Sequence, residues 1–197
     1  MNRAPTGGSC LSGLVVIGAS TGGPRVLTEL LKLLQPLRAC IVIVQHMPRF
    51  INPSFVKTLS QSAGTEVRLT QEADLLADGQ ILVAPSEVHC SFVRNRRVHL
   101  STGPRVNHVC PSIDVAMQSL LAPAPGQSLF GVLLTGMGKD GAVGLAHIKH
   151  LGGLTAAQTA DTCAVYGMPA EAMKLKCVDQ QLPPHRIARW LAERYAA

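Results

Sequence analysis

Residues 14–24 read LVVIGASTGGP, an apolar run that passes directly into a glycine-rich turn. Residues 14–18 are aliphatic and largely β-branched, which is typical of a short strand that is buried on both faces. Pro24 suits the first turn of a helix because its φ is already helical. Apolar residues then recur at helical spacing, at Leu27, Leu30, Leu31 and Leu34. The stretch therefore predicts a strand, a tight turn and a helix, which is the repeating unit of an α/β fold.

The alternation of strands and helices continues to the C-terminus. Further strands are predicted at residues 41–44, 80–84, 130–134, 154–158 and 177–179. Further helices are predicted at residues 52–62, 113–121 (with Ser112 as N-cap), 141–151 and 185–196. Residues 91–93 and 97–100 are predicted to pair as a hairpin. Short apolar strands separated by helices require a parallel sheet that is covered on both faces. The predicted fold class is α/β, doubly wound and mostly parallel, with helices on both faces and a small antiparallel hairpin.

The composition describes one folded domain. Hydrophobic residues make up 47% of the 197 residues and charged residues only 15%, which is typical of a large buried core. Residues 1–12 are small, polar and aperiodic and are predicted to form a flexible lead-in or linker remnant, so the domain is assigned to residues 13–197. No apolar run approaches the roughly 20 residues needed to cross a bilayer, and no secretory signal is evident. We therefore expect a cytoplasmic protein that does not insert into membranes.

The formal net charge of +6 favours an acidic partner, which could be nucleic acid, anionic lipid or an acidic protein surface. Most basic residues are dispersed, and the densest group, Arg94, Arg96 and Arg97, is expected to be solvated in the turn of the hairpin. Aromatic residues make up only 4% of the chain, so a platform for base stacking is poorly supplied. This balance disfavours a nucleic-acid-binding protein.

The glycine-rich turn, GASTGG at residues 18–23, is the first candidate site. It satisfies G-x-S-x-G, a sharp strand-to-helix turn that exposes a serine hydroxyl above the edge of a sheet. The positive end of the next helix suits a developing oxyanion. Such turns also bind phosphates, so a phosphate- or nucleotide-binding module without catalysis is the alternative. The second strand lacks the terminal acid that a dinucleotide site requires. Gly138-Lys139 is followed by Asp140 instead of the Ser or Thr of a P-loop, which also counts against this alternative.

Two residues could activate Ser20. His46 ends the second predicted strand, and the carboxyl ends of neighbouring parallel strands meet at one crevice. A serine hydroxyl is a poor nucleophile at neutral pH unless a base such as this imidazole takes its proton. Asp140 lies in the loop TGMGKDG (residues 135–141), where it could orient the imidazole or cap the following helix. Three glycines among these seven residues indicate close approach of the backbone to something, such as a reacting oxygen near the Met137 amide.

Other reactive side chains are less suitable. Histidines occur at helical spacing or beside cysteines, but no group offers the three or four convergent ligands that zinc requires. These groups are His147 with His150, His89 with Cys90, and His108 with Cys110. We therefore predict no metal and no cofactor. Cys163 has no neighbouring histidine to activate it and is expected to be a buried thiol. All six cysteines are expected to be reduced: Cys10, Cys40, Cys90, Cys110, Cys163 and Cys177.

Taken together, the short motifs of the chain resemble the CheB-type chemotaxis methylesterase catalytic domain. They occur in family order and at family spacing, from Leu14 to the C-terminus. The segments are GASTGGP (18–24), QHMP (45–48), LVAPSEVH (82–89), PSIDVAM (111–117), LLTGMGKDG (133–141) and YGMP (166–169). Each motif is short, but the set is highly specific and covers nearly the whole chain.

The resemblance implies a doubly wound α/β domain that hydrolyses glutamate methyl esters, and deamidates particular glutamines, on the cytoplasmic helices of chemoreceptors. The family nucleophile falls on Ser20, its base on His46 and its acid on Asp140. The neighbouring active-site threonine and methionine fall on Thr21 and Met137. The implied partner is an acidic protein substrate, the methylated receptor helix. An esterase of this fold that acts on a small-molecule ester is a further alternative.

The chain departs from the family pattern in two respects. Members usually carry an N-terminal receiver domain, whose phosphorylation relieves inhibition of the esterase, and too few residues precede position 14 for one. We expect either an isolated catalytic domain or an esterase that is regulated in another way. The family often has arginine immediately before the P-S-[IV]-D segment, where this chain has Cys110. If that arginine positions substrate, affinity or receptor choice would differ here.

Overall fold

The computed structural model describes residues 11–34, 37–93 and 96–195, and a parallel sheet lies at its centre. The strands are Gly13–Ala19 (β1), Cys40–Gln45 (β2), Val67–Leu69 (β3), Ile81–Val83 (β4), His89–Val93 (β5), Arg97–Ser101 (β6), Ser128–Leu133 (β7), Leu154–Gln158 (β8) and Gln180–Leu182 (β9). Seven of them form the sheet, in the order β3-β4-β2-β1-β7-β8-β9, and all neighbouring pairs are parallel. The other two, β5 and β6, form an antiparallel hairpin. The predicted sheet and hairpin are confirmed.

Within the described residues, six α-helices cover the two faces of the sheet. They are Gly23–Leu33 (α1), Asn52–Ala63 (α2), Ile113–Gln118 (α3), Ala142–His150 (α4), Met168–Lys174 (α5) and Pro184–Tyr195 (α6). Helices α1, α2 and α6 pack on one face. Helices α3, α4 and α5 and the hairpin cover the other face. The fold is therefore doubly wound, as predicted. In the described part of the chain, no helix combines the length and apolar character that crossing a bilayer requires.

Most predicted elements begin and end within two residues of their expected positions. The predicted inner face of α1 and its C-terminal extension is buried at Leu27, Leu30, Leu31 and Leu34. The helix predicted at residues 113–121 is shorter than expected and ends at Gln118. Burial of a regularly spaced apolar face explains why the periodic elements were predictable, since that burial is what stabilises them.

The strand predicted at residues 177–179 is wrong, because β9 follows it at Gln180–Leu182. Cys177 is instead a buried thiol that donates to the carbonyl oxygens of Ala142 and Ala172. Among the described strands and α-helices, two were not predicted, namely β3 and α5. A three-residue strand and a two-turn helix are too short for their hydrophobic period to be read from the sequence.

Part of the predicted lead-in lies outside the described residues, namely residues 1–10, and so does Arg94 of the predicted basic turn. Leu11 is buried, and the Ser12 N–H donates to the Asp78 carboxylate at 2.9 Å. These two residues therefore pack against the domain.

The strand order places three loops at one edge of the sheet. Strand β1 lies between β2 and β7, and Gly18 pairs with Val44 on one side and Leu133 on the other. The chain segments that leave the carboxyl ends of these three strands therefore meet. They begin with Ser20, His46 and Leu134, so this edge is where the candidate site is built.

Candidate active site

Ser20 follows the last residue of β1 and is held by the loop after β7. Its N–H donates to the Thr135 carbonyl oxygen at 3.0 Å, and the Gly23 N–H donates to the Ser20 carbonyl oxygen at 2.8 Å. Gly136 packs so closely that a β-carbon there would lie 2.7 Å from Ser20 Cβ. Gly22 has a φ of 82°, a left-handed conformation that glycine adopts without strain. Glycine is thus required both in the serine turn and in the loop that packs against it.

His46 follows β2 and lies beside the serine turn. Its N–H donates to the Ala19 carbonyl oxygen at 3.1 Å. The buried side-chain amide of Gln45 donates to the carbonyl oxygens of Ser20, at 3.0 Å, and of His46, at 2.8 Å. Gln45 therefore ties the turn that carries the serine to the strand end that carries the histidine.

The imidazole of His46 is hydrogen-bonded to Asp140, with Nε2 2.9 Å from Oδ2. The two side chains are 11% and 3% exposed, so the pair is largely shielded from water. A hydrogen bond is stronger in such a shielded environment than in water. Because a carboxylate only accepts, Nε2 carries the proton and Nδ1 of the neutral imidazole is an acceptor. Within the described ranges, neither Nδ1 nor Ser20 Oγ has a hydrogen-bond partner. Both are available for chemistry.

The Asp140 carboxylate accepts further hydrogen bonds from the start of α3 and the loop before it. Ser112 Oγ and Asn107 Nδ2 donate to Oδ1 at 2.7 and 3.0 Å, and the Ile113 N–H donates to Oδ2 at 2.6 Å. Burial opposes ionisation of Asp140, but the bonds from His46, Asn107, Ser112 and Ile113 outweigh it and hold its pKa below the ordinary value. Asp140 is therefore a carboxylate at neutral pH.

Asp140 does not cap the helix that follows it, which was the structural alternative for this residue. Gly141 occupies the N-cap position of α4, whereas the Asp140 carboxylate binds the N-terminus of α3 at Ile113. Ser112 is the N-cap of α3, as predicted, because its Oγ accepts from the Val115 N–H at 3.3 Å. The Ser112 hydroxyl therefore also donates a hydrogen bond to Asp140, which its position in the sequence did not indicate.

Thr21 and Met137 bring backbone amides to the same edge of the sheet. The Thr21 carbonyl oxygen accepts from Thr135 Oγ1 at 2.9 Å. Neither the Thr21 N–H nor the Met137 N–H donates to any group in the described part of the chain. The Met137 side chain is 77% exposed. Free N–H groups beside a serine are what a developing oxyanion requires.

Three polar residues that hold the site were not predicted, namely Gln45, Asn107 and Asp114. Asn107 has a φ of 52°, and the preference of asparagine for left-handed conformations was a weak signal for a special turn. Asp114 lies in the first turn of α3. An acidic residue is favourable there because it interacts with the helix dipole, so its position alone did not indicate a role in the site. Each of them makes at least one hydrogen bond to a residue far away in the chain.

The other reactive side chains are engaged elsewhere. His89 Nδ1 accepts from the Ser112 N–H at 3.2 Å, and His147 Nε2 lies 3.0 Å from the Leu120 carbonyl oxygen. Over the described residues, no group of three or more His, Cys, Asp or Glu side chains could hold a metal ion. Cys163 is only partly buried, not fully buried as expected. Its partial burial still raises the pKa of the thiol to about 11, so this thiol is protonated at neutral pH. The five described cysteines are free thiols.

Comparison with known proteins places the chain in a family. The CheB methylesterase family model matches residues 15–191. A protein-glutamate methylesterase/protein-glutamine glutaminase of Symbiobacterium thermophilum is 42% identical over 89% of this chain and 48% of its own length. One of Pseudomonas aeruginosa is 41% identical over 93% of this chain and 53% of its own length. The chain thus spans about half the length of these relatives.

A solved structure agrees with the sequence comparison. The crystal structure of the Thermotoga maritima CheB methylesterase catalytic domain matches this fold with a TM-score of 0.83 at 34% identity. The match covers 92% of this chain and 97% of that one. Because the family model, the relatives and the fold all agree, the chain belongs to the CheB methylesterase family.

Proposed function

We propose that this protein is a serine hydrolase that removes methyl esters from glutamate side chains of a protein substrate and also hydrolyses the side-chain amide of glutamine. The observation that carries the proposal is the 2.9 Å hydrogen bond between His46 Nε2 and Asp140 Oδ2, at the sheet edge that holds the serine turn. A shielded imidazole–carboxylate pair beside a serine is the arrangement that acyl transfer requires. The names of the relatives include both activities, which supports the same assignment here.

In the proposed mechanism, the Ser20 hydroxyl attacks the carbonyl carbon of the ester. Its proton passes to Nδ1 of His46, because Nε2 already donates to Asp140. The Asp140 carboxylate stabilises the imidazolium that forms. The oxyanion of the tetrahedral intermediate accepts hydrogen bonds from the N–H groups of Thr21 and Met137, which have no other acceptor within the described residues.

The second half of the reaction restores the enzyme. The intermediate collapses by breaking the bond between the carbonyl carbon and the methoxy oxygen, and the His46 imidazolium gives its proton to that oxygen, so methanol leaves. Water then attacks the acyl-enzyme while His46 takes a proton from it again. Glutamate is released as its carboxylate and the Ser20 hydroxyl is regenerated. With a glutamine side chain the same steps release ammonia.

A protein substrate is supported by the surface around the site. Phe50 and Met137 are 79% and 77% exposed, the highest values among the large apolar side chains of the described residues. They lie in the segments that follow β2 and β7, the two strands that flank β1. Exposed large apolar side chains are characteristic of protein-binding surfaces. An open cleft of about 330 Å³ beside His46 is lined by one basic and one acidic side chain, Arg105 and Glu87. The preference for an acidic partner therefore rests on the net charge of +6 of the whole chain. We assign the substrate as the acidic, methylated helices of a chemoreceptor, which implies a cytoplasmic location.

Two alternatives are weaker. A phosphate-binding module of the same fold has no use for a buried carboxylate hydrogen-bonded to His46, and a carboxylate near the site would repel the ligand. An esterase for small-molecule esters has no use for Phe50 and Met137 as exposed apolar side chains. The methylated receptor helix therefore remains the preferred substrate.

The test is a methanol-release assay on methylated receptor fragments, with Ser20→Ala as the variant. We expect turnover to fall by several orders of magnitude, on the scale measured when nucleophiles of serine hydrolases are removed. Ser62→Ala is the matched control, because Ser62 lies in α2 and its hydroxyl donates only within that helix, to the Thr58 carbonyl oxygen. A folded Ser20→Ala protein that releases methanol at the wild-type rate would rule out this nucleophile. Equal activity on small methyl esters and on receptor fragments would favour the small-molecule alternative.

A further inference from the structure

Two buried carboxylates, each near the N-terminus of a different helix, lie close together beside His46. Asp114 belongs to the first turn of α3, and Asp140 precedes α4 by two residues. Each accepts from the backbone of the other's helix: the Ile113 N–H donates to Asp140 Oδ2 at 2.6 Å, and the Gly144 N–H donates to Asp114 Oδ1 at 2.7 Å. The two helices therefore exchange N-terminal hydrogen bonds, which satisfies N–H groups that a helix leaves unpaired.

Asn107 joins the two carboxylates. Its Nδ2 donates to Asp114 Oδ2 at 2.8 Å and to Asp140 Oδ1 at 3.0 Å, which uses both hydrogens of the amide. The contact depends on a tight turn, in which Val106 and Val109 exchange backbone hydrogen bonds of 3.1 and 3.0 Å. Asn107 stands at one of the two central positions of this turn, with a φ of 52°.

The pair needs a neutral donor between its members. Burial raises the pKa of Asp114, and the nearby charge of Asp140 raises it further. A cation in this position would neutralise Asp140 and weaken its field at His46, whereas an amide satisfies one oxygen of each carboxylate without changing the charge. With Oδ1 occupied by Asn107 and Ser112, the orientation of the Asp140 carboxylate is determined and Oδ2 faces His46.

We propose that Asn107 is a positioning residue of the esterase, and that it acts by holding the Asp140 carboxylate in the orientation that presents Oδ2 to His46 Nε2. Asp114 anchors Asn107 and, through the Gly144 N–H, the start of α4. Asn107 donates to Asp140, and within the described residues no hydrogen bond joins it to the imidazole, so we expect it to influence the reaction through the acid. This inference rests on the proposed esterase function.

The test compares Asn107→Gly with His108→Gly. Glycine keeps the positive φ that both positions require, at 52° and 68°, so the turn is preserved. Asn107→Gly removes the amide that bridges the carboxylates. The His108 side chain is exposed and, within the described residues, donates to neither carboxylate, so its variant reports any general effect of glycine in the turn.

For Asn107→Gly we expect kcat for methanol release to fall roughly 10- to 100-fold with KM unchanged, the scale of effect that a misplaced catalytic group produces. Activity should also be lost at a higher pH on the acid side, because the Asn107 hydrogen bond lowers the pKa of Asp140. A merely structural role would lower the melting temperature without moving the pH profile. Asn107→Asp, which replaces the donor by a third carboxylate, should be less active than Asn107→Gly at neutral pH and should recover partly as the pH falls.

Proton NMR of the His46–Asp140 hydrogen bond provides a readout that does not depend on turnover. We expect the resonance of the His46 Nε2 proton to shift or broaden in Asn107→Gly and to stay unchanged in His108→Gly. If both variants keep the wild-type resonance, kcat and pH profile, the positioning role is overturned. If the wild-type enzyme releases no methanol but the resonance still responds to Asn107→Gly alone, the proposed function fails and the positioning role stands.

Discussion

The two sides of the central sheet are built differently. The side under α1, α2 and α6 packs chiefly through aliphatic and aromatic side chains, such as Ile17, Leu27 and Phe130. The side under α3 and α4 also has an apolar core, but at the carboxyl ends of the strands it buries Asp114 and Asp140 within a hydrogen-bonded network.

The two sides of the sheet contribute differently to stability and to the chemistry of the candidate site. Burying apolar surface is favourable wherever it occurs, whereas burying a carboxylate is costly unless donors surround it. The polar side of this sheet accepts that cost at Asp140 and offsets it with bonds from Asn107, Ser112 and Ile113. We therefore expect substitutions on the polar side to affect turnover and those on the apolar side to affect folding.

The largest effect is expected for Asp140→Asn. The variant keeps the shape of the side chain but removes the charge that stabilises the His46 imidazolium, so kcat should fall roughly 10⁴-fold, or about 5.5 kcal/mol in barrier. Methanol release and urea unfolding should be measured together. Asp161→Asn, in the exposed 3₁₀ turn Ala160–Thr162, is the control and should be silent. An Asp140→Asn enzyme that retains a tenth of wild-type turnover would contradict the assigned role of the acid.

A smaller effect, and one on folding alone, is expected for Leu27→Ala. Leu27 is fully buried in α1, so the substitution should lower the free energy of unfolding by roughly 2–5 kcal/mol through lost burial and the cavity left behind. The kcat of the folded fraction should be unchanged. Leu33→Ala is the matched control in the same helix, because Leu33 is 54% exposed and should cost at most about 0.5 kcal/mol. If both variants lost a similar amount of unfolding free energy, the buried face of α1 would not be a stabilising part of the core.

The smallest effect is expected in the pH dependence of stability. The pKa of Asp140 is lowered in the fold, so its contribution to stability is present above the pKa of an unfolded aspartate, about 3.9, and is lost as the pH falls through the folded value. Asp114 opposes this trend, because its pKa is raised and its folded form gains relative stability as the pH falls through that raised value.

Urea unfolding of the wild type and of Asp140→Asn between pH 7 and pH 3 measures the contribution of Asp140. We expect the difference in free energy of unfolding between the two proteins to shrink as the pH falls below about 4. A difference that stays constant over this range would mean that the ionised Asp140 carboxylate is not stabilised by the fold.

The position of the candidate site was predictable where it depended on strand ends. Ser20 and His46 directly follow strands whose apolar runs are readable, and parallel strands bring their carboxyl ends to one edge. Asn107 and Gln45 could not be assigned in the same way. A polar side chain in an aperiodic loop or at a strand end has many possible partners, and its hydrogen bonds are decided by packing.

By itself, the sequence determined the alternation of strands and helices, the glycine turn and the three reactive residue types, because apolar period and turn chemistry are local properties. Only the tertiary structure decided that Nε2 of His46 meets Asp140, 94 residues away, and that Asn107 reaches the same carboxylate across 33 residues. Such contacts follow from strand order and helix packing, which bring distant residues together. The local sequence around each residue contains no pattern that indicates them.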